Sequence, residues 1–215
     1  TAGIAFEVSG NAYHGNAGTG IAAVKNGTNS DYGADLVFIT RPQSAVAAER
    51  MRIDSAGRVG IKTTPSAWGA DYAVLDLNTG GSIYGTTSGV TTSSNLYFTG
   101  SSWIAKNTGL GTLYAQHTGK HIWYSSASVS AGSGAPLVQK MVLDASGNLL
   151  IGKNATSFGT AGIALRGTVA DFTRDGGTPI NVNRLTSDGS LIDLHKASTL
   201  VGSIGAASGQ LYVGN

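Results

Sequence analysis

Met51-Arg-Ile-Asp-Ser-Ala-Gly-Arg-Val-Gly-Ile61 decides the fold, and a related stretch, Met141-Val-Leu-Asp-Ala-Ser-Gly-Asn-Leu-Leu-Ile151, follows it at a spacing of 90 residues. In each copy, apolar residues alternate on both sides of a four-residue Asp-x-x-Gly turn, which predicts a β-hairpin. A hairpin of this size buries too little apolar surface to be stable alone. The sequence therefore predicts a module that packs against further strands or further copies of itself.

The turn residues of the two hairpins are predicted to have structural roles. Asp54 and Asp144 can each accept a hydrogen bond from the backbone two residues on. Gly57 and Gly147 tolerate positive φ, so each turn suits a type I turn with a bulge.

The similarity of the two copies extends upstream of the hairpin. Residues 35–40 match residues 121–126, with four extra residues in the second connection. This alignment places Trp123 opposite Val37 and predicts that Trp123 faces the core, which leaves Trp103, His121 and Tyr124 as surface groups.

The similarity also extends downstream, where residues 73–77 match residues 163–167, again 90 apart, and Trp68 matches Phe158. A weaker strand-turn-strand pattern closes the chain. A β unit that repeats without closing its own core implies an array or an oligomer. The predicted organisation is a first β module at 1–81, a second at 82–170 and a C-terminal β-stalk segment at 171–215.

Two stretches carry a resemblance to a known family. Glu49-Arg-Met-Arg-Ile-Asp-Ser-Ala-Gly-Arg-Val-Gly-Ile61, followed by Thr63-Thr-Pro65, resembles the shaft and tip modules of tailed-bacteriophage tail fibres. Leu191-Ile-Asp-Leu-His-Lys196, with the glycine-containing strands after it, is similar to the segment that runs into a C-terminal self-cleaving intramolecular chaperone in many such fibres.

The resemblance implies a parallel, intertwined homotrimer, a location in the virion tail outside the host cell, and a part in attachment to the bacterial surface. The implied partners are other tail or baseplate proteins and a surface polysaccharide or outer-membrane receptor. No chaperone sequence is present, so the resemblance also implies a mature cleaved product or an excised fragment.

Composition favours an elongated β assembly. The chain has 32 glycines, 12% charged residues and 41% hydrophobic residues, many of them Ala and Val. A compact single-chain core would be thin, whereas three chains could share a narrow axial core. No window has helical periodicity, and the Ala-rich residues 43–49 are the best candidate for a short helix or irregular turn. The predicted fold is therefore all-β and elongated.

Several classes of partner and cofactor are excluded on sequence grounds. The net charge of +2 comes from scattered cations, which is too dilute for a nucleic-acid surface. No apolar run is long enough for a transmembrane helix, so no membrane insertion is expected. The first residues lack a signal peptide and suggest an internal fragment. With no cysteine there is neither a disulfide framework nor a thiolate zinc site.

Metal and nucleotide motifs are weak, and no cofactor is expected. Gly147 to Lys153 begins like a phosphate-binding loop, but Asn154 stands where that loop needs a hydroxyl. His117 and His121 are four apart, which separates them by about 13 Å on a single strand and prevents a shared metal unless the chain folds back. A histidine ring on a trimer axis stays open for these two and for His14 and His195.

Catalytic candidates are few, and the chain is not expected to be an enzyme. Glu7 and Glu49 are its only glutamates, and most aspartates occupy turns. Paired carboxylates that cleave polysaccharide can come from different strands or chains, so their spacing excludes nothing. No Gly-x-Ser-x-Gly elbow is present.

Aromatic residues give the stronger functional hypothesis, because sugar rings stack on Trp and Tyr through their apolar faces. Packing is the competing explanation for each of these side chains. On the glycan hypothesis, replacing Trp103 and Tyr124 by Ala abolishes cell adsorption while the trimer stays intact. The candidate ligand-binding residues are Trp103, Tyr114, His117, His121 and Tyr124, next to Trp123 and flanked by Lys106, Asn107 and Lys120.

The sequence thus predicts a structural tail-fibre protein that binds a cell-surface glycan, with avidity from repeated sites. Two alternatives stay open: a trimeric tailspike-type polysaccharide depolymerase, and a purely structural shaft.

Overall fold

The computed structural model describes residues 2–6, 18–26, 33–42 and 44–214, which form strands and turns without any helix. The all-β prediction is confirmed for these residues. The predicted sites Glu7 and His14 and the predicted turn residue Gln43 lie outside them. Ser44 and Ala45 form a turn, and the strand that follows begins at Ala48, so residues 44–49 contain no helix.

Fourteen strands form one long sheet. Its strands lie side by side in chain order, except that the ninth and tenth strands of the chain are not part of it. The strands of this sheet are β1 (Ala2–Phe6), β2 (Thr19–Lys25), β3 (Ala34–Thr40), β4 (Ala48–Ile53), β5 (Val59–Ile61), β6 (Ala73–Leu77), β7 (Gly81–Thr86), β8 (Gly89–Ser94), β11 (Thr112–His117), β12 (Lys120–Ser126), β13 (Leu137–Leu143), β14 (Leu149–Ile151), β15 (Gly162–Arg166) and β16 (Val169–Thr173).

Two smaller sheets complete the described residues. The omitted strands β9 (Leu96–Phe98) and β10 (Trp103–Ala105) pair with each other, and β17 (Gly189–Lys196), β18 (Thr199–Ala207) and β19 (Gln210–Gly214) form an antiparallel meander. The long sheet continues without a break across residue 81, and β16 spans residue 170.

The two Asp-x-x-Gly turns make the same hydrogen bonds. The carboxylate of Asp54 accepts from the amides of Ala56 and Arg58 at 3.0 and 2.9 Å. The carboxylate of Asp144 accepts from the amides two and four residues on, both at 2.9 Å. The φ angles of Gly57 and Gly147 are 79° and 80°. Hydrogen bonds to the aspartate and a glycine with positive φ therefore stabilise both turns. An L side chain at that glycine would strain the backbone.

The upstream alignment is wrong by one residue. Phe38 of β3 pairs with Met51 and Trp123 of β12 pairs with Met141, and each pairing is followed by a bulge. Trp123 therefore corresponds to Phe38, not to Val37. Because side chains alternate across a strand, this shift moves Trp123 to the other face of the sheet.

Downstream of the hairpins the two halves differ in strand direction. β6 runs parallel to β5, whereas β15 runs antiparallel to β14. We attribute the difference to the connection before each strand. In the first, Trp68 is 4% exposed and packs against Val74 and Tyr84, so the connection crosses the sheet. In the second connection, the corresponding residue Phe158 is 69% exposed, so it does not anchor that connection across the sheet.

The two faces of the long sheet differ in what covers them. One face contributes to three buried clusters, and the β9–β10 hairpin and the segment around Trp68 pack against two of them. We call the other side the open face. It is defined by one row of residues in direct register from β3 to β16: Leu36, Ile53, Val59, Leu75, Ile83, Thr92, Tyr114, Trp123, Met141, Ile151, Ile163 and Phe172.

The open face is apolar and partly exposed along its whole length. Eleven of the twelve residues in its row are apolar or aromatic, and none is charged. Leu36, Ile83 and Ile151 are 41%, 40% and 39% exposed, and no residue of the row is fully buried. The row crosses eleven strand spacings, a path of about 50 Å. The described part of the chain provides no second layer over it.

Valine at either turn glycine is expected to destabilise the fold. The Cβ positions at Gly57 and Gly147 meet no atom within 4 Å, so any cost comes from the positive φ and not from a clash. Gly57→Val and Gly147→Val should each lower the free energy of unfolding by about 1–3 kcal/mol in urea titrations.

Gly80→Val is the matched control, because Gly80 also lies in a turn with open space around its Cβ but lacks a positive φ. Equal stability of all three variants would refute the conformational role of the two glycines.

Candidate binding surfaces

Cross-strand pairing divides the predicted ligand-binding residues between the two faces of the sheet. β11 and β12 form a hairpin in which Tyr114 pairs with Trp123 and Leu113 pairs with Tyr124. Tyr114 and Trp123 lie on the open face, whereas Tyr124 lies on the covered face with the buried Leu113. The five residues therefore do not form a single site.

Tyr114, His121 and Trp123 form an aromatic stack on the open face. The Tyr114 hydroxyl and Nδ1 of His121 are joined by a 2.5 Å hydrogen bond, and the two rings stack at 6.1 Å. The ring centroids of Tyr114 and Trp123 are 5.0 Å apart. His121 is exposed and the other two are partly exposed. The expectation that Trp123 faces the core is wrong, because its pairing with Tyr114 and Met141 places it on the open face.

Tyr124 and Trp103 pack against the buried clusters, contrary to their expected place on the surface. Tyr124 contacts the cluster around Leu96 and Leu113, and burial raises the pKa of its hydroxyl. Trp103 lies on β10 and contacts two of the clusters. Replacing both by Ala would remove core contacts, so a loss of adsorption in that variant would not identify a ligand site.

His117 lies at the end of the β11–β12 hairpin, away from the aromatic stack. The chain folds back at Thr118 and Gly119, so the single-strand separation of His117 and His121 does not apply. The two histidines nevertheless belong to neighbouring cross-strand pairs of the hairpin, so their side chains lie on opposite faces of the sheet. Nε2 of His117 lies 2.8 Å from the hydroxyl of Ser88. Among the described residues, no group of three His, Asp or Glu side chains could hold a metal ion.

Lys106 and Lys153 have structural partners. Nζ of Lys153 donates to the carbonyls of Ser157 and Thr160 at 2.6 and 2.9 Å, within the stretch that resembles a phosphate-binding loop. Lys106, expected to flank a ligand site, is buried in an ion pair with Asp76 at 2.9 Å. Sequence spacing gave no sign of this pair, because its members are 30 residues apart.

Asp76 holds the segment around Trp68 and the end of β10 together. Its fully buried carboxylate accepts from the Ser66 amide at 2.7 Å, from Nε1 of Trp68 at 3.1 Å and from Nζ of Lys106. Burial alone would raise the pKa of Asp76, but the hydrogen bonds from Ser66 and Lys106 outweigh it, and the pKa lies below its usual value. These bonds fix the aromatic cluster beside which Trp103 lies.

Asp35 and Glu49 are two carboxylates that meet in the described residues, and Arg52 lies between them. Its Nη1 lies 2.5 Å from Oδ2 of Asp35, and its Nη2 lies 2.6 Å from Oε2 of Glu49. Asp35 also accepts from the side chain of Asn26 and the amide of Ser55. Both carboxylates are thus engaged in ion pairs, which accounts for their positions without a catalytic role.

A shallow groove lies beside Trp103. It has a volume of about 250 Å³ and is lined by Ser102, Trp103, Gly134, Ala135 and Pro136. Trp103 is the one predicted ligand residue in this lining.

Comparison with models of known protein families, with curated proteins and with solved structures gave no match. In the part of the chain that the structure describes, no helix is long and apolar enough to span a membrane.

Removing the Lys106 ammonium is expected to destabilise the fold strongly. Lys106→Met leaves the buried Asp76 carboxylate without its cation, which should cost about 3–5 kcal/mol of unfolding free energy in urea titrations. The double variant Asp76→Asn, Lys106→Met should recover part of this loss, because no buried charge then stays unpaired. Lys120→Met is the control, since Lys120 is exposed on its strand. Equal unfolding free energies for Lys106→Met and Lys120→Met would refute the role of the pair.

Acidification provides an independent check on Asp76. A carboxylate whose pKa is lower in the folded state stabilises the fold above its unfolded pKa of about 3.9, and that stabilisation is lost as the pH falls through the folded value. The urea midpoint of the wild type should therefore fall at strongly acidic pH by more than that of the Asp76→Asn variant. Parallel acid dependences of the two midpoints would contradict this assignment.

Proposed function

We propose that this chain is a segment of a tailed-bacteriophage tail fibre, that it assembles as a parallel homotrimer through its open face, and that it attaches the virion to the bacterial surface. The open face carries the proposal, because a sheet with one uncovered apolar side needs a partner. The family, the number of chains and the virion location come from the sequence resemblance described above.

The exposed area of the chain supports self-association. The chain exposes 13849 Å², whereas a compact monomer of 21.7 kDa should expose about 9,200 Å². The uncovered apolar surface of the open face is part of this excess. The absence of charge along the row of the open face favours an apolar partner, and another copy of the same face supplies one.

The direction of the row agrees with a rod. It runs across the strands, along the length of the sheet, so chains that pack their open faces together would have strands perpendicular to the long axis of the assembly. On this proposal the stack of Tyr114, His121 and Trp123 lies between chains and is not available to a receptor. Receptor contact then belongs to the loops and to the covered side of the sheet.

Attachment is proposed to work through avidity. Several weak glycan sites on one fibre, and several fibres on one particle, multiply a modest affinity. Asp35 and Glu49 are both paired with Arg52, and carboxylates engaged in this way do not favour the depolymerase alternative. A pure shaft would bind no cells.

Labelled protein should bind the cells of some strains in a panel of bacteria with different surface polysaccharides. The same cells stripped of polysaccharide should lose this binding, because the glycan is the proposed ligand. Purified polysaccharide incubated with the protein should keep its chain length. If the protein binds none of the strains, a purely structural shaft is favoured. If it shortens the polysaccharide, it is a depolymerase. Either result overturns the attachment proposal.

A charge on the open face should weaken cell binding by breaking the assembly. Ile83→Glu places a carboxylate in the apolar row, and losing the linkage between sites should reduce apparent affinity for a binding strain by about 10²–10⁴-fold. Leu110→Glu is the matched control, because Leu110 is 66% exposed and lies outside the row. Equal apparent affinities of the two variants would show that assembly through this face does not support attachment.

A further inference from the structure

We propose that the groove beside Trp103 binds an uncharged pyranose ring, whose apolar face contacts the indole. This inference rests on the proposed function and adds the place of the glycan site and the class of sugar. The groove is lined by Ser102, Trp103, Gly134, Ala135 and Pro136.

Trp103 is held rigidly before any ligand arrives. Its ring centroid lies 5.1 Å from that of Phe98, 5.8 Å from Tyr84 and 6.4 Å from Trp68. Its carbonyl also accepts a 2.8 Å hydrogen bond from the amide of Ala135, which holds the two sides of the groove together. A side chain fixed in this way loses little conformational entropy on binding, so even a small ligand can gain net affinity.

The lining favours a neutral ligand. None of the five lining residues is charged. The nearby Lys106 is buried and its ammonium is paired with Asp76, so it cannot serve an acidic sugar here. A carboxylate or sulfate placed in this groove would lose water without gaining a cation.

The rim suits the hydroxyl groups of a sugar. Ser102 lines the groove and is exposed, and Thr99 and Ser101 are exposed hydroxyl residues of the same turn. The Thr99 hydroxyl accepts from the Ser102 amide at 3.1 Å, which fixes the shape of that turn. A pyranose has apolar C–H groups on one face and hydroxyls around its edge, so it matches an indole wall with a hydroxyl rim.

An extended proline-rich peptide is the competing occupant, because such peptides also dock in aromatic-lined grooves. They span several aromatic contacts, whereas Trp103 is the single aromatic side chain among the lining residues. The sugar is therefore the better fit.

The three tryptophan indoles provide a direct test. Their ¹⁵N–¹H signals can be assigned with Trp→Phe variants of Trp68, Trp103 and Trp123. The probes are methyl α-D-glucopyranoside, methyl β-D-galactopyranoside and N-acetylglucosamine at millimolar concentration. At least one of them should shift the Trp103 signal in a saturable way and leave the Trp68 and Trp123 signals in place.

Gly134→Gln should abolish this shift by filling the groove. The Cβ position at Gly134 meets no atom within 4 Å and the residue has no positive φ, so the variant should fold. Gly167→Gln is the matched control, because Gly167 has the same two properties and lies outside the lining. Unshifted Trp68 and Trp123 signals in the Gly134→Gln variant confirm its fold.

No Trp103 shift with any of the three sugars, or an undiminished shift in Gly134→Gln, would overturn the inference. So would a Trp103 shift that a proline-rich peptide alone produces. Cell binding separates this failure from that of the proposed function: if wild-type protein binds cells and Gly134→Gln binds them equally, the attachment function stands and the groove is not its site.

Discussion

The structure depends on one constraint: a long sheet, antiparallel except between β5 and β6, in which only one face is covered. On the covered face, Val37, Leu113 and Leu150 are buried. On the open face, equally large side chains stay partly exposed from β3 to β16. Since burial of apolar area is the main favourable term in folding, leaving this row in water forgoes a large part of the available stabilisation.

The covered face shows how a chain with few large apolar residues builds a core. Its aromatic residues are concentrated where the β9–β10 hairpin and the segment around Trp68 meet the sheet, and Asp76 joins these pieces. The pair of Asp76 and Lys106 is costly to bury, but the hydrogen bonds of Asp76 join β6 to the segment around Trp68 and to Lys106 at the end of β10. The groove beside Trp103 owes its shape to this local second layer.

The sequence predicted what local chemistry controls. The alternation of apolar residues predicted strands, and the Asp-x-x-Gly pattern predicted turns that repeat at a spacing of 90. Register across a longer connection was less accessible. β3 and β12 carry a bulge at the same place, but the connections that follow them differ in length, and an error of one residue in matching these connections assigns every side chain of β12 to the wrong face. Strand direction was also hidden, because the parallel pairing of β6 depends on where Trp68 packs.

Which of the candidate aromatic side chains lie on the surface was also out of reach of the sequence, because tertiary packing decides it. Tyr124 and Trp103 are aromatic and each stands next to two serines in the sequence, yet tertiary packing places both against buried clusters. Nothing near Lys106 in the sequence reveals that its partner is Asp76. The groove beside Trp103 brings together β10 and residues 134–136, and this contact follows from the fold and not from any local pattern.

The mass of the native particle tests the central claim most directly. Light scattering in native buffer should give about three times 21.7 kDa, because on the proposed function other copies cover the open face and the family resemblance implies three chains. A mass of 21.7 kDa would contradict the account, since the chain would then be stable with its open face in water. A mass twice that value would be compatible with a second copy that covers the open face, and it would refute the trimer.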